Sequence, residues 1–155
     1  MRNSKNLNPL REAAAIALGL ALLFSFPTSG LAQDARFGLD HYEKLIRLSE
    51  PAFSPDGRSI VFTVRRPNFT DNKWESEIHR IDVESGRSTP FTSGRKTARM
   101  PRWSPKGDRV AFLAVVDGKA QILVQPGEGG EAKQITRSPT GVTSYAWSRD
   151  GKHFA

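Results

Sequence analysis

The sequence predicts an all-β chain: a partial β-propeller of two full four-stranded blades and the start of a third, preceded by a signal-peptide helix and a short α-helix. Three observations predict it. One turn signature recurs, as Phe53-Ser54-Pro55-Asp56-Gly57, Trp103-Ser104-Pro105-Lys106-Gly107 and Trp147-Ser148-Arg149-Asp150-Gly151. Each copy leads into an apolar run, which reads as strand, tight hairpin, strand. The signature serines are 50 and then 44 residues apart, the period of a four-stranded propeller blade.

Residues 1–32 read as a secretory signal peptide. Arg2, Lys5 and Arg11 form a positive n-region, Ala13 to Phe26 an apolar h-region, and Leu31-Ala32 ends a small-residue site with cleavage expected after Ala32. The apolar run is short for a retained span. The absence of a cysteine after the site excludes a lipid-anchored lipoprotein. The expected mature protein is exported, periplasmic or extracellular, and free of the membrane once cleaved.

Residues 33–50 form a lead-in. Leu39, Tyr42, Leu45 and Ile46 recur at helical spacing, Asp40 suits a cap, and Lys44 and Arg47 suit a last turn. One short helix packing on the edge of the following domain is expected, with His41 on its solvated side.

Residues 51–155 form the incomplete propeller, with blades at about 51–94 and 95–138 and a third, 139–155, that breaks off. In the first blade the expected strands end at Phe53 and cover Ser59–Val64, Glu77–Val83 and Thr89–Thr92. In the second they fall at Arg102–Trp103, Arg109–Val115, Gln121–Gln125 and Lys133–Thr136. Ile60, Phe62 and Val64 share one face, as do Val110, Phe112 and Ala114. The two units align without gaps from Ile78 with Ile122 to Thr92 with Thr136, so the six extra residues of the first unit lie within Arg65–Trp74. That stretch is expected to be a loop projecting on the face that carries the connections between blades. One blade cannot bury both faces of its sheet, so a ring of several is expected. The sequence stops within a strand of the third unit, which reads as part of a longer chain. Alone, such a piece would leave open edges and be prone to aggregate.

The turn chemistry explains the signature. Proline presets φ for a type I turn, serine bonds backbone N–H groups nearby, and glycine takes the left-handed position that re-enters the strand. Only Ser and Gly occur in all three copies, as a turn requires and a catalytic carboxylate would not.

Composition and charge exclude further classes. The 155-residue chain has no cysteine, hence no disulfide framework or thiolate metal site. Its net charge is +7, and removing the three basic residues and one acidic residue of positions 1–32 leaves +5. These charges are scattered rather than clustered, which argues against nucleic acid. There is no G-x-S-x-G elbow. His41, His79 and His153 lie on different elements without metal-ligand spacing; His79 reads as a core-edge residue. Glu75 and Glu77 share a strand face that is better read as solvated than as a carboxylate pair. Gly127, Gly129 and Gly130 fall in a turn, not a phosphate loop. Asn68-Phe69-Thr70 fits a glycosylation acceptor. No catalytic, cofactor-binding or metal-binding residue is assigned, and no cofactor is expected.

The run Leu39-Asp40-His41-Tyr42-Glu43-Lys44-Leu45-Ile46-Arg47-Leu48-Ser49-Glu50-Pro51 leads straight into Phe53-Ser54-Pro55-Asp56-Gly57, then the Arg66-Pro67 stretch and Ile78-His79-Arg80-Ile81-Asp82. Over residues 38–155 this resembles the N-terminal propeller of exported serine peptidases of the prolyl oligopeptidase family, particularly the acylaminoacyl-peptidase-like and dipeptidyl-peptidase-like branches. The resemblance implies a propeller of seven or eight blades that gates oligopeptide access to an α/β-hydrolase domain of the same chain. The family's Ser, Asp and His triad belongs to that domain, beyond Ala155, so none of it carries over onto these residues. The serine-turn motif is shared with TolB-type propellers, and a non-catalytic exported platform for protein interaction is the alternative. TolB-type chains, however, place an α/β domain before their blades, and only about eighteen residues separate Ala32 from Pro51 here.

Overall fold

The computed structural model describes Gly38, His41, Tyr42 and residues 44–155. The expected signal peptide lies outside the described residues, as do Leu39 and Asp40 of the lead-in. Of the expected short helix, His41 and Tyr42 are helical, with Lys44 and Leu45 donating backbone hydrogen bonds back to His41 and Tyr42 at 3.2 and 3.1 Å. The helix ends earlier than the spacing suggests. Arg47 begins a strand instead, because its neighbours pair with the second strand from Arg65 inward.

Two four-stranded antiparallel sheets follow. The first contains β1 (Arg47–Phe53), β2 (Ser59–Asn68), β3 (Lys73–Asp82) and β4 (Ser88–Pro90) in that spatial order. The second repeats it with β5 (Arg99–Trp103), β6 (Arg109–Val116), β7 (Lys119–Pro126) and β8 (Lys133–Gln134). A third unit opens with a bridge between Trp147 and Phe154 and paired backbone bonds between Ala146 and Ala155. The repeat reaches down to irregularities: β1 and β5 both slip register before their turns, at Glu50 (φ 57°) and Met100 (φ 55°), each four residues before its serine.

The turns are built as their residues dictate. In each, the glycine N–H donates to the serine carbonyl at 2.9 Å. The serine hydroxyl accepts from the backbone N–H that starts the next strand, at Ser59, Arg109 and His153. It donates in turn to a carboxylate, Asp56 at 2.5 Å and Asp150 at 2.6 Å. In the second copy Lys106 occupies that position, and Asp108 substitutes from two residues further on, at 2.6 Å.

The sheets stack face to face, and the second sheet packs one face on the first sheet and the other on the third unit. Val61 and Ile78 of the first sheet enclose an apolar core with Val110, Phe112, Ala114 and Leu123 of the second. The reverse face of the second sheet, Ala111, Leu113, Ile122 and Val124, is covered by Tyr145, Trp147 and Phe154 of the third unit. Ile60, Phe62 and Val64 are the first-sheet equivalents of Val110, Phe112 and Ala114. Among the described residues no sheet lies against them. Phe62 and Val64 are nevertheless buried, but a hollow lined by Leu48, Pro51, Ile60, Phe62 and Ile81 opens beside Ile60, and Leu48 is 66% exposed.

One polar contact recurs from blade to blade. The Trp103 indole N–H donates to the Ala52 carbonyl at 3.2 Å, and the Trp147 indole N–H donates to the Arg102 carbonyl at 3.1 Å. These are equivalent bonds one blade apart. Among the described residues no helix is long and apolar enough to cross a membrane.

Candidate functional site

The first blade departs from the second in one place. The six extra residues extend the β2–β3 hairpin rather than forming an open loop: Pro67 pairs with Trp74 and Asn68 with Lys73, leaving Phe69–Asn72 as the turn. In the second blade the strands stop at the Val116–Lys119 pair, closed by Asp117-Gly118. The expectation of an irregular loop over Arg65–Trp74 is therefore corrected. Pro67 is tolerated because the β1 ladder ends at Arg65, so beyond it β2 is an edge strand with one side free of ladder bonds.

The extension does lie on the side that carries the connection between the blades. Residues 91–98 run along its base, with Ser76 N–H donating to the Lys96 carbonyl at 2.9 Å and Ala98 N–H to the Ser76 carbonyl at 3.0 Å. A hollow of about 250 Å³ sits there, lined by Val64, Arg66, Glu75, Glu77, Arg95 and Lys96 among others.

Strand alternation places Arg66, Glu75 and Glu77 on one face of the hairpin. The two carboxylates do not form a shared acidic pair, for each is satisfied separately. Glu75 accepts from Asn68 at 2.7 Å and from Lys96 at 3.0 Å, and these bonds hold it below the ordinary carboxylate range. Glu77 lies 2.5 Å from Arg66 and 3.0 Å from His79. Partial burial pushes its carboxyl up, but the bonds from His79 and Arg66 outweigh burial and leave it lowered. This is an ion-paired strand face, and it holds no unneutralised general base.

The opposite face of the same hairpin is aromatic and cationic. Arg47 and Arg65 are directly paired across β1 and β2, and both guanidiniums stack on Trp74, at 4.6 and 5.4 Å from the ring centroid. Tyr42 of the lead-in meets Phe69 of the turn edge-on at 6.1 Å, so the lead-in does pack on the blade. Tyr42, Pro67, Phe69 and Trp74, with Asn68, Asn72 and Lys73, line a small hollow of about 130 Å³. Sequence reasoning missed this face, because Arg47, Arg65 and Trp74 come from three different strands and meet only through the pairing of the sheet.

The other singled-out residues have structural work. His79 is largely buried against Phe62, ring centroids 6.0 Å apart. His41 Nδ1 accepts from the Gly38 N–H. The exposed His153 lies 3.9 Å from Asp150. The Asn68 side-chain amide is engaged by Asp71 and Glu75. Gly127 fits under the Trp103 ring, and Arg80 donates to the Gly127 carbonyl at 2.8 Å. Among the described residues no cluster of three or more His, Asp or Glu could hold a metal.

No family model matches the chain. It is 31% identical over 126 residues to dipeptidyl-peptidase 5 of Porphyromonas endodontalis, covering 81% of this chain and 18% of that protein. It superposes on Pyrococcus horikoshii acylaminoacyl peptidase with a TM-score of 0.63 at 25% identity, over 74% of this chain and 17% of that one. The β-propeller domain of the Trilobed protease from Pyrococcus furiosus gives a TM-score of 0.59 at 24% identity, over 72% and 33% of the two chains. TolB of Pseudomonas syringae is 30% identical over 95 residues, 61% of this chain and 21% of that protein. The chain thus spans about a fifth of the length of the curated relatives it matches. With its stacked four-stranded sheets, the chain is a β-propeller homologue of peptidases of the dipeptidyl-peptidase 5 and acylaminoacyl peptidase kind.

Proposed function

We propose that these residues are the export signal and opening blades of a secreted or periplasmic serine peptidase acting on oligopeptides, of the prolyl oligopeptidase family. The observation that carries the reading is the apolar edge left uncovered at Leu48, Ile60 and Ile81, on the face equivalent to the one that the second sheet buries against the first. A ring of further blades would cover it, and the peptidase relatives are long enough to supply one. In this reading the propeller screens peptides by size, and acyl transfer from a serine nucleophile takes place in an α/β-hydrolase domain of the same polypeptide. The signal peptide is removed after Ala32, and the protein works outside the cytoplasm.

The test is a serine-directed fluorophosphonate probe applied to the complete polypeptide that the reading frame encodes. Covalent labelling, lost when the serine of a downstream G-x-S-x-G is replaced by alanine, supports the peptidase. A polypeptide that closes its ring and ends without labelling supports the second reading, a TolB-type interaction platform, which the TolB similarity favours.

A further inference from the structure

The Arg47–Arg65 pair breaks a rule of strand pairing. Like charges directly opposite each other on neighbouring strands destabilise the pair, and breaches of such local rules concentrate at functional sites. A carboxylate would relieve this one, yet among the described residues neither guanidinium has a carboxylate partner. The acids nearby are committed elsewhere: Glu75 to Asn68 and Lys96, Glu77 to Arg66 and His79, Asp71 to Lys73, and Glu50 to Thr63 and Met100. Instead, both arginines stack on Trp74. A cation over the ring face is held there by the ring's negative face without using up its N–H donors, and a guanidinium's planar fork of donors matches a carboxylate. Alternation along the hairpin puts Pro67 and Trp74 on the same side as Arg65, so the aromatic hollow adjoins the two forks. Its volume of about 130 Å³ suits one apolar side chain rather than the face of a domain.

We propose that this side of the extended hairpin is a capture site for acidic oligopeptides. It takes one apolar side chain between Tyr42, Phe69 and Trp74, and carboxylates of the same peptide at Arg47 and Arg65. The second blade, whose hairpin is six residues shorter, has no counterpart. The inference deepens the peptidase reading by naming a substrate class, but it is tested by binding alone, so its failure leaves that reading standing.

The experiment is calorimetric titration of the complete polypeptide, after fluorophosphonate treatment so that no peptide bond is cut. The probes are an eight-residue peptide of alternating Glu and Leu and its Lys-for-Glu counterpart. The acidic peptide should bind and the basic one should not. Arg47→Gln with Arg65→Gln should weaken binding about tenfold, the scale of a lost charge-assisted contact at a partly exposed site. Arg102→Gln with Arg137→Gln, which removes equal charge elsewhere, should change it less than about twofold, as screening allows. Arg65→Lys, which keeps charge but loses the fork, should fall between. Equal binding of both peptides, no binding of either, or equal weakening by the two double variants would overturn the proposal. Far-UV circular dichroism of each variant checks that the sheets are intact.

Discussion

Glu50 and Met100 occupy the same position in successive blades, and the first is bonded to the second. Glu50 Oε2 accepts the Met100 backbone N–H at 2.8 Å and the Thr63 hydroxyl at 2.7 Å. Both residues sit where their strands slip register, with positive φ, and the slip turns a backbone N–H away from its own ladder and toward the neighbouring blade. Thr63 is fully buried, so the carboxylate serves one group inside the first blade and one in the second.

Replacing Glu50 with Ala should therefore destabilise the protein by about 1–3 kcal/mol, since Thr63 and Met100 lose their acceptor together. Glu50→Gln keeps an acceptor oxygen and should cost less than about half of that. Urea unfolding of the two variants beside the parent checks the order; equal losses would mean that the side chain contributes packing rather than acceptance.

The glycines of the turns should differ by place in the ring. A Cβ on Gly107 would stand 3.2 Å from Pro55 Cδ of the preceding blade, whereas a Cβ on Gly57 would meet nothing within 4 Å. Both have positive φ, 75° and 73°. Gly57→Ala should cost about 1 kcal/mol from backbone strain alone. Gly107→Ala should cost about 1 kcal/mol more, because the proline ring must also shift. Equal melting temperatures for the two variants would contradict a turn-on-turn contact between blades.

Much of this was legible in the sequence, for a physical reason. Turn chemistry and strand alternation are local, so the three serine turns and the alternating faces of β2 and β6 could be read directly. The gapless match between units fixed which residues are equivalent, including Ile60 with Val110. Longer-range choices were hidden. Nothing local shows that Asp108 replaces Asp56 two residues later, because that swap depends on the path of the hairpin. The alignment places six extra residues between two strands but not their pairing, so the extension reads as a loop, although its strands continue through Pro67 to the Asn68–Lys73 pair. The Arg47–Trp74–Arg65 stack joins three strands, and no spacing along the chain reveals it.

Acid should weaken the turns. Hydrogen bonds from Ser54, Ser104 and Ser148 hold Asp56, Asp108 and Asp150 below the ordinary value of 3.8. A lowered native pKa means stability present above about 3.8 and lost as pH falls through the native values. The melting temperature should drop over that window. Asp56→Asn, Asp108→Asn and Asp150→Asn together should flatten the drop without abolishing it, since Asp71, Glu75, Glu77 and Asp82 are lowered as well. A drop of unchanged slope in the triple variant would show that the serine bonds do not favour the ionised form.

Shortening the hairpin separates fold from function. Replacing residues 67–74 with Asp-Gly copies the closure of the second blade at Asp117-Gly118. The sheets should remain, because both apolar cores lie below this level. In the complete polypeptide, the ratio of kcat/KM between acidic and neutral peptides should fall; unchanged kinetics would place the extension outside the path of the substrate.

The stacking of equivalent blades is tested most directly by indole N–H exchange in the ¹⁵N-labelled complete polypeptide. Trp103 and Trp147 donate to carbonyls of the preceding blade, Ala52 and Arg102, while Trp74 is held by stacking alone. The account predicts that the Trp103 and Trp147 indole protons exchange at least about tenfold more slowly than that of Trp74, because a hydrogen-bonded group must open before it exchanges. Three indoles exchanging at one common rate would contradict it.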